Sequence, residues 1–393
     1  MVKLEGRNLN AKLYFSIYGS GMGHAARTAA LAKSLGSISL FSSWGEGKEY
    51  LEKEGFNVIE SPSVDVEWSE QGRMAIKKSI TKLPRNLSSF AHQIICELSS
   101  ISKFKPDVVI SDSRLSPIIA SHILDIPSIL ITNQLRIALP LENSFVQSFL
   151  ERITAEKLGI FWSLAKEIIA PDLPPPYTIS EKTLLYVSLI KRRIRFIGFL
   201  ISAPKVRRED IEKTKSVLEI DSPKVVYAQV SGPKPTKRWM VDLLILASKE
   251  LPKDVTLIVS MGEPRSTKDV IKSGNLRLLY WNDLLDATLS IADLVVTRGG
   301  HSSIAKCISM GKPMVLLPIA YHGEQIYNSK KAEKLGIARM VNPVSADHRT
   351  LAECIIESLS NNNLKEKALE ISEISSKFNA FSSFKEILRT LIS

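Results

Sequence analysis

Ala292-Asp293-Leu294-Val295-Val296-Thr297-Arg298-Gly299-Gly300-His301-Ser302-Ser303-Ile304-Ala305 is the stretch whose reading decides the fold. Leu294 to Val296 is a short apolar run rich in β-branched residues, which predicts a buried strand. Gly299 and Gly300 permit a sharp turn, and Ser302 and Ser303 supply hydroxyls where a helix must begin. The helical pattern runs to Met310 and stops at Gly311. A strand, a glycine turn and a helix N-terminus together offer free N–H groups and the positive end of a dipole to an anion. Gly311-Lys312-Pro313 leads into a second apolar strand, Met314 to Leu317. His322-Gly323-Glu324-Gln325 follows, with Asn328 one turn further on. Two successive strand ends thus bring an anion cradle and a set of hydroxyl-binding side chains to one sheet edge, which suits a nucleotide sugar. Singly, a Gly-Gly pair is often only a tight turn and a Glu-Gln pair a solvated helix start. Order and spacing carry the reading.

The chain has 393 residues, 44% of them apolar and 24% charged, enough for two soluble domains with separate cores. No apolar run approaches the roughly 18 residues of a membrane span, and the polar first eleven residues lack a signal-peptide core. Cys96, Cys307 and Cys354 are scattered singly, so neither a disulfide framework nor a zinc site is indicated. A cytoplasmic protein is expected. The net charge of +11 is concentrated: residues 72–105 hold seven Lys/Arg against one Glu, and residues 182–215 hold ten against three acids. These segments are either solvated basic faces or attractors of an anionic membrane surface, a phosphate-bearing ligand or nucleic acid. Few interleaved aromatics and no recognition motif argue against nucleic acid.

Towards the N-terminus, Lys12 to Tyr18 predicts a strand, followed by Gly19-Ser20-Gly21-Met22-Gly23-His24 and a helix from Ala25 to Leu35. The glycine spacing is not the dinucleotide fingerprint, and no acidic residue ends the next strand, so a NAD site is disfavoured. Glycines here let another ligand, or an opposing domain, approach the backbone. Pro106 to Asp112 reads as a second buried strand. His24 and Asp112 should then face one crevice at the carboxyl edge of a parallel sheet; from sequence alone, Asp112 equally fits capping of a helix ahead of Leu115. Asn133 and Gln134 end the next strand. Pro171 to Pro176, with four prolines, is the candidate interdomain connection, although Ile194 to Phe199 beyond it also reads as a strand. In the second half, Lys224 to Val230 ends in Ser231-Gly232-Pro233, before a helix near Trp239 to Glu250. Leu276 to Tyr280 is followed by Trp281, a candidate for stacking on a base or, equally, a core tryptophan.

Asp293 to Asn328 resembles the donor-binding segment of the GT-B glycosyltransferases of the family 28 type, archaeal members above all. That group includes the bacterial N-acetylglucosaminyltransferase that forms lipid II and is related to the UDP-glycosyltransferases of plants and animals. The resemblance extends over most of the chain and implies an α/β fold: two Rossmann-like domains whose parallel sheets face each other across a cleft. Residues 1–180 would bind the acceptor and residues 181–372 the nucleotide sugar. Residues 373–393 would form a C-terminal helix crossing back to the first domain, though the sequence alone equally allows it to cap the second sheet. The resemblance implies that His24 is the general base and that Asp112 orients it. It implies donor contacts from Gly21, Gly23, Ser231, Gly232, Trp281, Arg298, Gly299, Gly300, His301, Ser302, Ser303, Glu324 and Gln325. Where many relatives place a ribose-binding glutamate, this chain has Lys306, so ribose recognition must differ.

The expected activity is an inverting, metal-independent transfer of a hexose or N-acetylhexosamine from a UDP-sugar to a lipid-linked or other membrane-surface acceptor. No cofactor and no metal are expected, because no carboxylate cluster has metal-ligand spacing. The basic segments suggest peripheral binding at the inner face of the membrane, through Lys77, Lys78, Lys82 and Arg85 or through the apolar excursion from Leu135 to Leu150. Two other readings stand beside this one. Gly21, Gly23, His24 and Arg27 match the Gly-x-Gly-His-x-x-Arg loop of a nucleotide-sugar hydrolase of similar fold, in which His24 would activate water. A non-catalytic donor-binding subunit would keep the cradle without the chemistry.

Overall fold

A parallel strand buried on both faces must be apolar at nearly every position, and strands of this kind recur in each half of the chain. The computed structural model describes residues 11–64, 83–136, 144–185, 187–202, 204, 206–263 and 270–392. In the N-terminal half the strands are β1 (Lys12–Ile17), β2 (Ile38–Ser43), β3 (Val58–Glu60), β4 (Val108–Asp112), β5 (Ser128–Ile131), β6 (Glu167–Ala170) and β7 (Ile194–Phe196). They form one parallel sheet in the order β3-β2-β1-β4-β5-β6-β7. The second sheet contains β8 (Lys224–Gln229), β9 (Val255–Ser260), β10 (Val270–Ser273), β11 (Leu276–Leu279), β12 (Leu294–Thr297), β13 (Met314–Leu316) and β14 (Ala338–Met340). Its order is β10-β11-β9-β8-β12-β13-β14, and β10 alone runs antiparallel to its neighbour.

The described helices of the first half are α1 (Met22–Leu35), α2 (Gly45–Lys53), α3 (Leu83–Phe104), α4 (Ser116–Ile123), α5 (Ser144–Trp162) and α6 (Glu181–Leu184). Those of the second are α7 (Arg208–Leu218), α8 (Lys234–Ser248), α9 (Leu285–Ile291), α10 (His301–Ser309), α11 (Gly323–Lys334), α12 (His348–Ser360), α13 (Asn362–Ser376) and α14 (Ala380–Ile392). The strand order reverses between β1 and β4 in one sheet and between β8 and β12 in the other. Chain segments leaving those strand ends diverge to opposite faces and leave a crevice, the usual ligand position in such sheets.

The structure departs from the sequence reading in several places. β7 pairs in parallel with β6, Ile168 opposite Ile194 and Ala170 opposite Phe196, so the N-terminal sheet continues past residue 180. The proline-rich stretch before it is a folded turn rather than a free linker. It closes around the buried Asp172 carboxylate, which accepts the backbone N–H of Leu173 at 2.8 Å, Ile179 at 3.1 Å and Ser180 at 2.8 Å. α1 starts at Met22, which puts His24 inside its first turn. α8 starts at Lys234, with Pro235 in its first turn where no intrahelical donor is needed.

The tail is two helices. On α14, Ala380, Phe384, Ile387 and Leu388 are buried in the same core as Leu13, Phe15 and Ile17 of β1, so the C-terminal helix packs on the N-terminal half. Of the segments expected to meet a membrane, Lys77, Lys78, Lys82, Leu139 and Leu141 lie outside the described residues, while Arg85 is exposed on α3. Among the described residues no helix is long and apolar enough to cross a membrane. Phe384→Ala should destabilise the protein by about 3–5 kcal/mol, the usual loss for a fully buried phenylalanine, and the midpoint of urea denaturation measures it.

Candidate active site

Asp112 ends β4 with its carboxylate fully buried, and three side chains of α1 converge on it. His24 Nδ1 lies 2.7 Å from Oδ1, Arg27 Nε donates to Oδ2 at 2.7 Å, and Thr28 Oγ1 donates to Oδ2 at 2.9 Å. Residues i, i+3 and i+4 share one helix face, so a single carboxylate fixes the rotation of α1 against β4. Burial alone would raise the Asp112 pKa. The Arg27 guanidinium and the His24 ring outweigh that and hold the carboxyl far below the usual carboxylate range. An ionised carboxylate only accepts, so Nδ1 of His24 carries a hydrogen, and in a neutral tautomer so bonded the lone pair is on Nε2. Arg27 Nη2, 3.1 Å from Nδ1, is itself only a donor and shares Oδ1 as acceptor. The His24 side chain stays 26% exposed, so this ring is open to the cleft. Tyr18 packs edge-on against it with ring centroids 5.6 Å apart, and Trp44 packs behind Tyr18.

The opposing wall belongs to the second sheet. Ser231 and Gly232 follow β8, Arg298 to Ser303 follow β12, and Glu324 and Gln325 open α11 after β13. Gly299 has φ +58°, and a Cβ there would stand 2.3 Å from Ser329 Oγ and 2.6 Å from the Gln325 carbonyl, so only glycine fits this turn against α11. Gly300 caps α10 without a side-chain hydrogen bond, and Ser302 and Ser303 are partly exposed in the first turn. Arg298 does not face the cleft. It is 1% exposed, donates to the Thr236 and Leu317 carbonyls and lies over the Trp239 ring at 5.5 Å. Burial pulls its pKa down to about 9. The guanidinium ties the first turn of α8 to the segments leaving β12 and β13, and contact with a diphosphate would require it to leave these partners.

Gln325 turns its amide oxygen to the Ile319 N–H at 2.9 Å. Burial lowers the pKa of His322, which caps α11. Trp281 follows β11, two strands from the switch point, and is 38% exposed, hence not a core tryptophan. Lys306 finds its counter-charge in Asp286 of α9, 2.6 Å away.

The two walls touch. Asn133, at the end of β5, accepts from Arg27 Nη1 at 3.3 Å and donates to Glu324 Oε1 at 2.8 Å. A hydrogen-bonded chain therefore runs from His24 through Asp112, Arg27 and Asn133 to Glu324. A Cβ on Gly23 would lie 3.1 Å from Ser302 Oγ, so the first glycine loop meets the start of α10. His301 Nε2 stands 3.1 Å from the Asp172 carboxylate, within ion-pair distance but not aligned as a hydrogen bond. Ser113 (φ 59°) and Tyr321 (φ 66°) hold left-handed backbone beside the cleft, a strained conformation for non-glycine residues. Among the described residues no three His, Cys, Asp or Glu side chains gather as a metal-binding group.

Arg27 is the functional residue that the sequence reading underused; its signal was the i+3 spacing from His24. Glu151 and Tyr327, which join the two halves, were missed. Away from the cleft, α5 carries Phe149, Leu150, Ile153, Ile160 and Phe161 exposed on its outer face, with exposed Arg152 and Lys157 among them.

The chain is similar to known proteins over most of its length. Residues 239–385 match the glycosyltransferase family 28 C-terminal domain. An uncharacterized glycosyltransferase of Methanosarcina mazei is 27% identical over 96% of this chain and 97% of its own length. The UDP-N-acetylglucosamine–N-acetylmuramyl-(pentapeptide) pyrophosphoryl-undecaprenol N-acetylglucosamine transferase of Geobacillus thermodenitrificans is 24% identical over 45% of this chain and half of its own. The solved glycotransferase of kitacinnamycin superposes with a TM-score of 0.68 over 98% of this chain and all of its own, at 16% identity, a likeness of fold alone.

Asp112→Asn should cost about 3–5 kcal/mol of stability at neutral pH, because Arg27 is left buried without its counter-charge. The Asp112 contribution is complete above about pH 4 and is lost as the pH falls through the depressed pKa of the folded state. The gap between variant and wild type should therefore narrow in acid, as read from urea midpoints across pH.

Proposed function

The chain is a GT-B glycosyltransferase of the family 28 type, and on that premise we propose that it is an inverting enzyme that transfers a hexose or N-acetylhexosamine from a UDP-sugar to a lipid-linked or membrane-surface acceptor. The observation that carries this reading is the His24–Asp112 pair, facing the bare N-terminus of α10 across a cleft bridged by Asn133 and Glu324. His24 Nε2 takes the proton of an acceptor hydroxyl as its oxygen attacks the anomeric carbon, and the ionised Asp112 stabilises the resulting imidazolium. The bond from the anomeric carbon to the diphosphate breaks on the opposite side, inverting the configuration. Charge growing on the departing diphosphate meets the first N–H groups and the dipole of α10, which supports a mechanism without a metal. Glu324 and Gln325, at the start of α11, would bind the sugar hydroxyls, and the exposed Trp281 would offer a face to the base.

The support for a membrane-surface acceptor is the outer face of α5, where exposed apolar side chains stand among Arg152 and Lys157. An amphipathic basic face of this kind suits an interfacial position at an anionic bilayer.

His24→Ala should abolish transfer, by about a hundredfold or more, while the affinity for UDP in titration calorimetry stays within a few-fold of wild type. Retained turnover in this variant removes the general base. Release of UDP at the same rate with and without acceptor would instead identify a hydrolase.

A further inference from the structure

α11 carries two stripes of polar residues with different partners. Its inner stripe holds it to its own half. Asn328 Nδ2 donates to the Gly299 carbonyl at 3.2 Å, and Ser329 packs against Gly299. Its outer stripe is Glu324, Tyr327 and Lys331. The spacing i, i+3, i+7 keeps these three within one narrow face of a 3.6-residue helix, and all three engage the N-terminal half. Glu324 meets Asn133 beyond β5 at 2.8 Å. The Tyr327 hydroxyl donates to both oxygens of Glu151 on α5, at 3.2 and 3.3 Å. Lys331 pairs with Glu181 at the start of α6. Glu151 is fully buried and also pairs with Arg136, while Lys182 Nζ lies 4.7 Å from the centre of the Tyr327 ring.

A carboxylate buried between two halves is costly unless it is answered. Here the answer comes from both halves at once, from Arg136 on its own and from Tyr327 on the other. The contact is therefore complete in only one relative placement of the two walls. That placement is also the one that brings Glu324 to Asn133 and so next to the His24–Asp112 pair.

We propose that Tyr327, Glu151, Glu181 and Lys331 are positioning residues that clasp α11 to the N-terminal half and set the register between donor wall and base. The consequence for turnover rests on the donor placement given under Proposed function. Because the inner stripe still holds α11 to the Gly299 turn, loss of the clasp misplaces the walls without removing the donor cradle.

The test uses Tyr327→Phe, which removes only the hydroxyl, together with Glu181→Lys, Lys331→Glu and their double. Tyr327→Phe should lower kcat about tenfold, the scale of one lost hydrogen bond to a charged group, with the UDP dissociation constant within about threefold of wild type. A fault confined to folding would not split these quantities. Each single charge reversal should lower kcat and enlarge the radius of gyration in small-angle X-ray scattering, and the double should restore both. Unchanged kcat in Tyr327→Phe, or a double reversal no better than the singles, overturns the clasp. If wild type binds no UDP, the donor reading falls on its own. Scattering still decides the clasp in that case: enlarged singles with a compact double support it, and singles as compact as wild type overturn it.

Discussion

The buried charge of Asp112 is the constraint on which the site depends. A carboxylate taken out of water at the switch point of a parallel sheet must be met by donors within about 3 Å. α1 supplies them from one face with His24, Arg27 and Thr28. The same demand locks the helix to the end of β4 and sets the tautomer of the histidine. Arg27 has donors to spare and passes the order on to Asn133 and thence to Glu324 on the other half. An exposed pair such as Lys33–Glu54 contributes at most about 1 kcal/mol. Breaking the buried cluster costs several times that, so it is the desolvated charge that organises the cleft.

The second half meets a comparable problem with the opposite sign. Among the described residues Arg298 meets no carboxylate; it is stabilised by two carbonyls and the face of Trp239. Its lowered pKa records how incompletely those partners replace water. A neutral side chain could fill the same space, but it could not bind the Thr236 and Leu317 carbonyls together and so join the first turn of α8 to the segments after β12 and β13. Both walls of the cleft are thus pinned by one buried ion beneath the sheet edge. The difference is that Asp112 lends its charge to a group open to the cleft, whereas Arg298 keeps its own inside.

Much of this was legible in the sequence because it is local. The runs Val108–Ile110 and Leu294–Val296 are too uniformly apolar for an exposed strand, and Gly299 and Gly300 mark the turn after the second. The α1 cluster is a matter of i, i+3 and i+4 spacing, and His24 and Asp112 could be paired once both were placed at strand ends. Contacts between distant segments were not legible. Asn133 and Glu324 are 191 residues apart, and Tyr327 and Glu151 are 176 apart. Polar residues at helical spacing read as solvent-facing until a partner surface is known. The proline run misled for a related reason: its backbone donors converge on Asp172, a buried side chain whose role shows only in three dimensions. Lys306 read as a change in ribose recognition, and its pairing with Asp286 shows only once α9 is placed beside α10.

The in-line displacement with inversion that we propose would require the two pinned walls to be separate. The incoming hydroxyl and the departing diphosphate lie on opposite sides of the anomeric carbon. The base that serves one and the dipole that serves the other cannot then stand on the same wall. One sheet edge could not present both, because the groups at one switch point all approach from one side. Two sheets with facing carboxyl edges solve the geometry, at the cost of having to hold two bodies in register to within a fraction of an ångström. In this protein α11 carries polar contacts in both directions: its inner stripe grips the Gly299 turn and its outer stripe grips the half that holds His24. Hydrogen bonds suit that task better than an apolar seam, because they are directional and fail over short displacements.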